Sequence, residues 1–224
     1  MFQILLEAFT FCLAIFIGFR SYAKLTLFHR LILFQLMVYF SVYILSYCIT
    51  LYQVTHHLTK NNQWLFNLYL FFEAMILAAA ASIQLVSKGL KQFVYILVGL
   101  FFVVFVRQLK YNGFQVFANF ACAAECMVLT VAFLLVLYEE FQRLDRGYLR
   151  SPVVFTSLAI VIFYGCNAPY FSFFNYLQKS HPKASEFLFH LIVDVLSNIR
   201  YLLLAISFWL IHKNQNLKFQ DHAK

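Results

Sequence analysis

Seven apolar runs follow one another along the chain, separated only by short polar connections. They lie at roughly Phe2–Phe19, Leu31–Tyr52, Trp64–Gln84, Phe93–Val106, Val116–Tyr138, Val153–Phe174 and Leu188–Ile211. A hydrocarbon layer of ~30 Å needs about twenty residues of helix to cross it. Backbone groups in lipid must be paired within their own segment, so the expected fold is an all-α integral membrane bundle of seven transmembrane helices. The fourth run is short and is expected to extend over Lys91 or Arg107, whose long side chains can reach the headgroups. The first run starts at the initiator Met with no basic region before it and no small-residue cleavage site after it, so it reads as a retained helix. The composition agrees, with 63% hydrophobic and 12% charged residues, against about 45–50% and about 25% in soluble domains. The expected organisation is a bundle over residues 1–211 and a short polar tail over 212–224.

The basic residues set the expected orientation. Arg20, Lys24, Arg30, Lys88, Lys91, Arg143, Arg146, Arg150, Lys213, Lys218 and Lys224 fall on one side, and Lys60, Arg107, Lys110, Lys179 and Lys183 on the other. Eleven against five places the N-terminus outside and the C-terminus in the cytoplasm. Trp64 and Trp209 then sit near opposite interfaces, where amphipathic rings prefer to lie.

Several classes of function are disfavoured at once. The formal charge of +8 does not point to nucleic acid, because the basic residues stand singly between apolar runs and form no stripe to track a backbone. The connections are too short for a kinase or nucleotide-binding domain, and there is no Gly-rich phosphate loop. No lysine lies inside a run to form a retinal Schiff base. Cys12, Cys48, Cys122, Cys126 and Cys166 all fall within apolar runs and read as small buried hydrophobes.

What remains is a set of polar residues at membrane depth. Glu7, Glu73, Glu125, Asp194 and Arg200 are ionisable, and Asn167, His190 and Asn198 lie beside them in sequence or depth. A charge at the centre of a spanning helix costs about 2.5–3.5 kcal/mol on insertion scales, so these groups should face one another or a wet cavity. Under the expected topology they gather in the outer half of the bundle, and the inner half reads as aliphatic and aromatic. That distribution suggests a pocket opening outward; the plainer alternative is interhelical glue. Arg200 should pair with an acid, and Glu73, Glu125 and Asp194 are the expected partners.

Two local patterns refine the candidates. His190, Asp194, Ser197 and Tyr201 recur at intervals of four, three and four, the spacing of one helical face. His190 and Asp194 resemble half of a metal site, but a hydrolytic zinc site usually takes three protein ligands. The other candidates, His56 and His57, lie in the connection after the second run. A metal ion therefore stays a minor expectation. In the sixth run, Pro169 cannot donate to the carbonyl of Gly165, and Asn167 beside that gap can either satisfy it or bind a ligand. Ala78–Ser82 and Ala118, Ala121, Ala123 and Ala124 offer small surfaces for close helix packing.

Tyr69-Leu70-Phe71-Phe72-Glu73, Tyr164 through Phe171, and His190 through Asp194 with Asn198-Ile199-Arg200-Tyr201 together carry a resemblance. The chain resembles small seven-helix membrane proteins of Bacteroidetes-type bacteria, which are similar to the membrane sensor modules preceding some histidine kinases. The resemblance implies a sensory or signalling accessory role in a bacterial inner membrane, with Glu73 and Asn198 at recurring polar positions. It also implies membrane lipids and a membrane or cytoplasmic signalling protein as partners. This chain departs from the kinase-linked proteins by ending without an output domain. It is also distantly similar to ceramidase-like membrane hydrolases, but has His190 and Asp194 where those carry paired histidines on the last helix. A sensory or partner-binding protein, a metal-dependent intramembrane hydrolase acting on a lipid-like substrate, and a proton- or cation-coupled transporter or channel are thus the three readings.

Overall fold

The computed structural model describes residues 2–56, 62–143 and 150–222, and their side chains at 5–56, 62–143, 150–192 and 195–214. Those residues are helical almost throughout, with no strand among them. The elements are α1 (Phe2–Arg20), a 3-10 turn (Tyr22–Lys24), α2 (Leu27–Thr55), α3 (Gln63–Gln84), α4 (Lys88–Asn112), α5 (Asn119–Arg143), α6 (Pro152–Ser180), α7 (Pro182–Phe189) and α8 (Val195–His222). A π-helical turn, His190–Asp194, joins α7 to α8. Counting α7 and α8 as one rod gives seven. Six of these, α2 to α6 and the α7–α8 rod, are long and apolar enough to cross a membrane.

Most helices outrun the apolar runs that signal them. The fourth covers both Lys91 and Arg107 as expected, because helix geometry continues beyond the point where side chains turn polar. The fifth starts later than Val116, at Asn119. Asn67 of α3 explains that delay. Its Nδ2 donates to the carbonyls of Phe114 and Val116, both at 2.9 Å, and its Oδ1 accepts from Ala118 N at 2.9 Å. The connection after Gly113, which adopts φ 77°, is thereby held in a non-helical path. Gln108 then accepts from Ala121 N at 2.7 Å, serving a donor in the first turn of α5.

At the opposite end, Glu139 performs the equivalent task. Its two oxygens accept from Val86 N at 2.6 Å and Ser87 N at 2.9 Å, where α3 gives way to α4. Arg143 pairs with Glu139 at 3.3 Å.

Between these ends the core is built from close approaches of small and aromatic residues. Ala80, Ala81, Ala121, Ala132 and Ala159 are completely buried beside Phe133, Leu204 and Phe208. In lipid, such packing and interhelical hydrogen bonds hold helices together, since apolar burial from water contributes little there. Gly18 marks a close crossing. A Cβ added there would meet Leu33 Cδ1 at 2.7 Å and Phe208 at 3.2 Å. By contrast α4 is apolar through its middle yet mostly unburied. Its exposed Tyr95, Ile96, Leu100 and Val103 belong to a broad apolar flank that suits hydrocarbon rather than water.

Candidate functional site: a buried polar cluster and its cavity

One carboxylate oxygen organises the centre of the bundle. Glu73 Oε1 accepts from Gln35 Nε2 at 2.6 Å, from Tyr69 OH at 2.5 Å and from Tyr164 OH at 2.5 Å. Tyr69 lies one turn away on α3; Gln35 comes from α2 and Tyr164 from α6. Arg200, read above as needing an acid, extends from α8 to place Nη2 3.6 Å from the same oxygen. Its hydrogen bond runs instead to Gln35 Oε1, at 2.9 Å. The guanidinium also lies over the rings of Phe163 (4.7 Å) and Tyr164 (5.2 Å), contacts that gain strength where water is excluded. All five polar members are buried: Gln35, Tyr69, Glu73, Tyr164 and Arg200.

The cluster forms one wall of a cavity of about 220 Å³. Glu125 of α5 and Asn167 of α6 line it too, and each is only 1% exposed. Neither is fully served by the protein, since Glu125 Oε1 and Asn167 Oδ1 have no hydrogen-bond partner. Asn167 Nδ2 donates to Phe163 O at 2.7 Å. It therefore serves the carbonyl one turn back and not that of Gly165, and α6 runs on through Pro169. Phe66, Phe117, Phe171 and Phe189 supply aromatic walls. Glu7, Tyr39 and Tyr201 line this cavity and also a smaller cleft of about 110 Å³, which extends past Phe11 to Cys12 and Tyr43 between α1 and α2.

The other candidates lie elsewhere. Asn198 Oδ1 accepts from Thr10 at 2.8 Å and so ties α8 to α1. His190 is exposed, and the side chain of Asp194 lies outside the described residues. The expected stripe of His190, Asp194, Ser197 and Tyr201 is interrupted by the π turn at His190–Asp194. One extra residue in the turn rotates what precedes it by about 100° relative to a continuous α-helix. Ser197, Arg200 and Tyr201 consequently line the cavity, whereas His190 is turned outward. His56 stacks on Tyr52 at the end of α2; His57 lies outside the described residues. Among the described residues, no three His, Cys, Asp or Glu side chains gather to hold a metal.

Two further expectations need correction. Cys122 and Cys126 are buried and line the cavity, but Cys12, Cys48 and Cys166 are exposed on the flank of the bundle. An apolar run buries only the face that packs on a neighbour, and the other face is left for lipid. The half of the bundle away from the cavity, expected to be the inner one, is also less purely apolar than the sequence suggests. It holds a Thr156–Ser207 hydroxyl pair at 2.8 Å and buried, unpartnered Ser82 Oγ, Ser157 Oγ and His29 Nε2. Hydroxyls carry no formal charge and hardly interrupt an apolar run, and His29 precedes the second run.

Gln35 is the residue most plainly missed, and Tyr69 and Tyr164 enter only as the first residues of two segments that carry the resemblance, with no role given to either. Gln35 was detectable, since an amide inside an apolar run invites the same question as an acid. The tyrosines offered no such signal among 14 in the chain.

No family model matches the chain, and neither a curated protein nor a solved structure matches it.

Proposed function

We propose that the chain is a multi-pass sensory or partner-binding protein of a bacterial inner membrane, one that holds a small ligand inside its bundle. In this reading α1 is a seventh crossing, the N-terminus is outside, the tail is cytoplasmic and the cavity faces the outer side. The observation that carries it is the unserved polar lining of the cavity. A buried acceptor without a donor costs about 1–3 kcal/mol, and groups that serve only structure are normally satisfied. Glu125 and Asn167 are kept at that cost in a space large enough for a guest. The sensory assignment and the bacterial setting follow the resemblance noted in the sequence, with a signalling protein receiving the output.

Replacement of Glu125 by Met tests the reading. A residue retained for binding lowers stability, so Glu125→Met should raise the melting temperature of the purified protein in detergent. At least one compound in a small-molecule library should stabilise the wild type and not the variant. A lower melting temperature for Glu125→Met, with no stabilising compound, would make the group structural glue and sink the proposal.

A transporter is the second reading, and the inner-half groups Ser82, Ser157 and His29 favour it. Flux of protons or cations through proteoliposomes that is lost in Glu125→Gln would select it over a sensor.

A further inference from the structure

The chemistry left open in the cavity specifies the kind of guest. Three buried polar atoms of lining residues are unpartnered: Glu125 Oε1, Asn167 Oδ1 and Arg200 Nε. Two are acceptors. The orientation of Asn167 is settled by its neighbour, because Phe163 O can only accept and so must face the amide nitrogen. Arg200 Nη2 already donates to Gln35, with Glu73 alongside. An ammonium group carries three donors and no acceptor, which matches two open acceptors. A carboxylate has no donor for either acceptor and would lie in a cavity shared with Glu73 and Glu125. The aromatic walls add to the preference, since ring faces attract cations and pack apolar bodies.

Access points the same way. Glu7, Tyr39 and Tyr201 separate the cavity from the α1–α2 cleft, where Tyr43 and Cys12 are exposed on the apolar flank. A molecule arriving there comes through the hydrocarbon and needs an apolar body.

Resting on the binding reading above, we propose that the cavity takes a small organic amine with an apolar or aromatic body. Its ammonium sits between Glu125 Oε1 and Asn167 Oδ1.

Thermal unfolding of the full chain in detergent would be followed with 2-phenylethylamine, 2-phenylethanol and phenylacetate. The amine should raise the melting temperature by about 2 °C or more in a saturable manner, as mass action requires of a native-state ligand. The alcohol and the acid should not, and Glu125→Gln should abolish the shift. If that variant fails to fold, the wild type still decides. The amine should slow thiol modification of Cys122 on the cavity wall, read by mass spectrometry, and the alcohol should not. Stabilisation by phenylacetate alone, or equally by amine and alcohol, would overturn the amine while leaving a binding cavity intact. No response to any of the three overturns the amine; joined to a null result in the library screen, it overturns the binding reading too.

Discussion

Glu73 and Arg200 lie 3.6 Å apart but are joined mainly through a third residue. Gln35 donates to the acid at 2.6 Å and accepts from the guanidinium at 2.9 Å. Its amide has one end suited to each charge, so the bridge fixes the positions of both. Gln35→Leu, of similar size, removes both bonds and should destabilise the protein by about 1–3 kcal/mol. Unfolding of the variant in micelles, by heat or by denaturant, measures this, and an unchanged midpoint would show that the bridge contributes nothing.

The pair itself should behave as a coupled unit. Arg200→Met leaves Glu73 with its neutral donors only, and breaking a buried pair from one side costs about 3–5 kcal/mol. The double change Glu73→Gln with Arg200→Met should cost less than the sum of the single changes, by a coupling of about 0.5–3 kcal/mol. Folded yield by size exclusion, with unfolding midpoints for the variants that survive, completes the cycle. Strict additivity would mean that the two groups do not sense each other.

Much of this arrangement could be read from the chain before its fold. Hydropathy is a local property, so the apolar runs mark where helices lie. Charge inside such runs is conspicuous, which is why Glu73, Glu125 and Arg200 stand out. The bridging role of Gln35 depends on which faces of α2, α3 and α8 meet, and helices that are apolar all round do not announce a face. The π turn at His190–Asp194 has no signal in the hydropathy pattern, and it defeats a spacing rule that assumes a regular helix. Asn198 was legible as a polar residue, but its attachment to Thr10 depends on α1 lying against α8.

Asn67 should be as important to its end of the bundle as Gln35 is to the centre. Asn67→Ala strands the carbonyls of Phe114 and Val116 and the N–H of Ala118, which it now serves. Loss of about 1–3 kcal/mol is expected, with the connection between α4 and α5 loosened before the helices separate. Limited proteolysis should find new cleavage between Gly113 and Asn119, and hydrogen exchange at Ala118 should accelerate. Cleavage spread evenly along the chain would argue for general destabilisation instead.

Topology is open to a direct measurement. Reporter fusions at Lys60 and at Lys213 should report opposite compartments, with Lys60 outside and Lys213 in the cytoplasm. Both on one side would remove a crossing and overturn the assigned topology.

The convergence of Gln35, Tyr69, Tyr164 and Arg200 on Glu73 also has an order in time. Gln35 and Tyr69 are made before or with the acid, while Tyr164 follows 91 residues after it and Arg200 later still. At ~5–20 residues per second of synthesis, Glu73 waits on the order of ten seconds for its cation. During that interval α3 must enter the bilayer with its acid held only by two neutral donors, or linger at the insertion machinery. Biogenesis of this protein is therefore committed late: the early helices acquire their final partner only when the last one arrives.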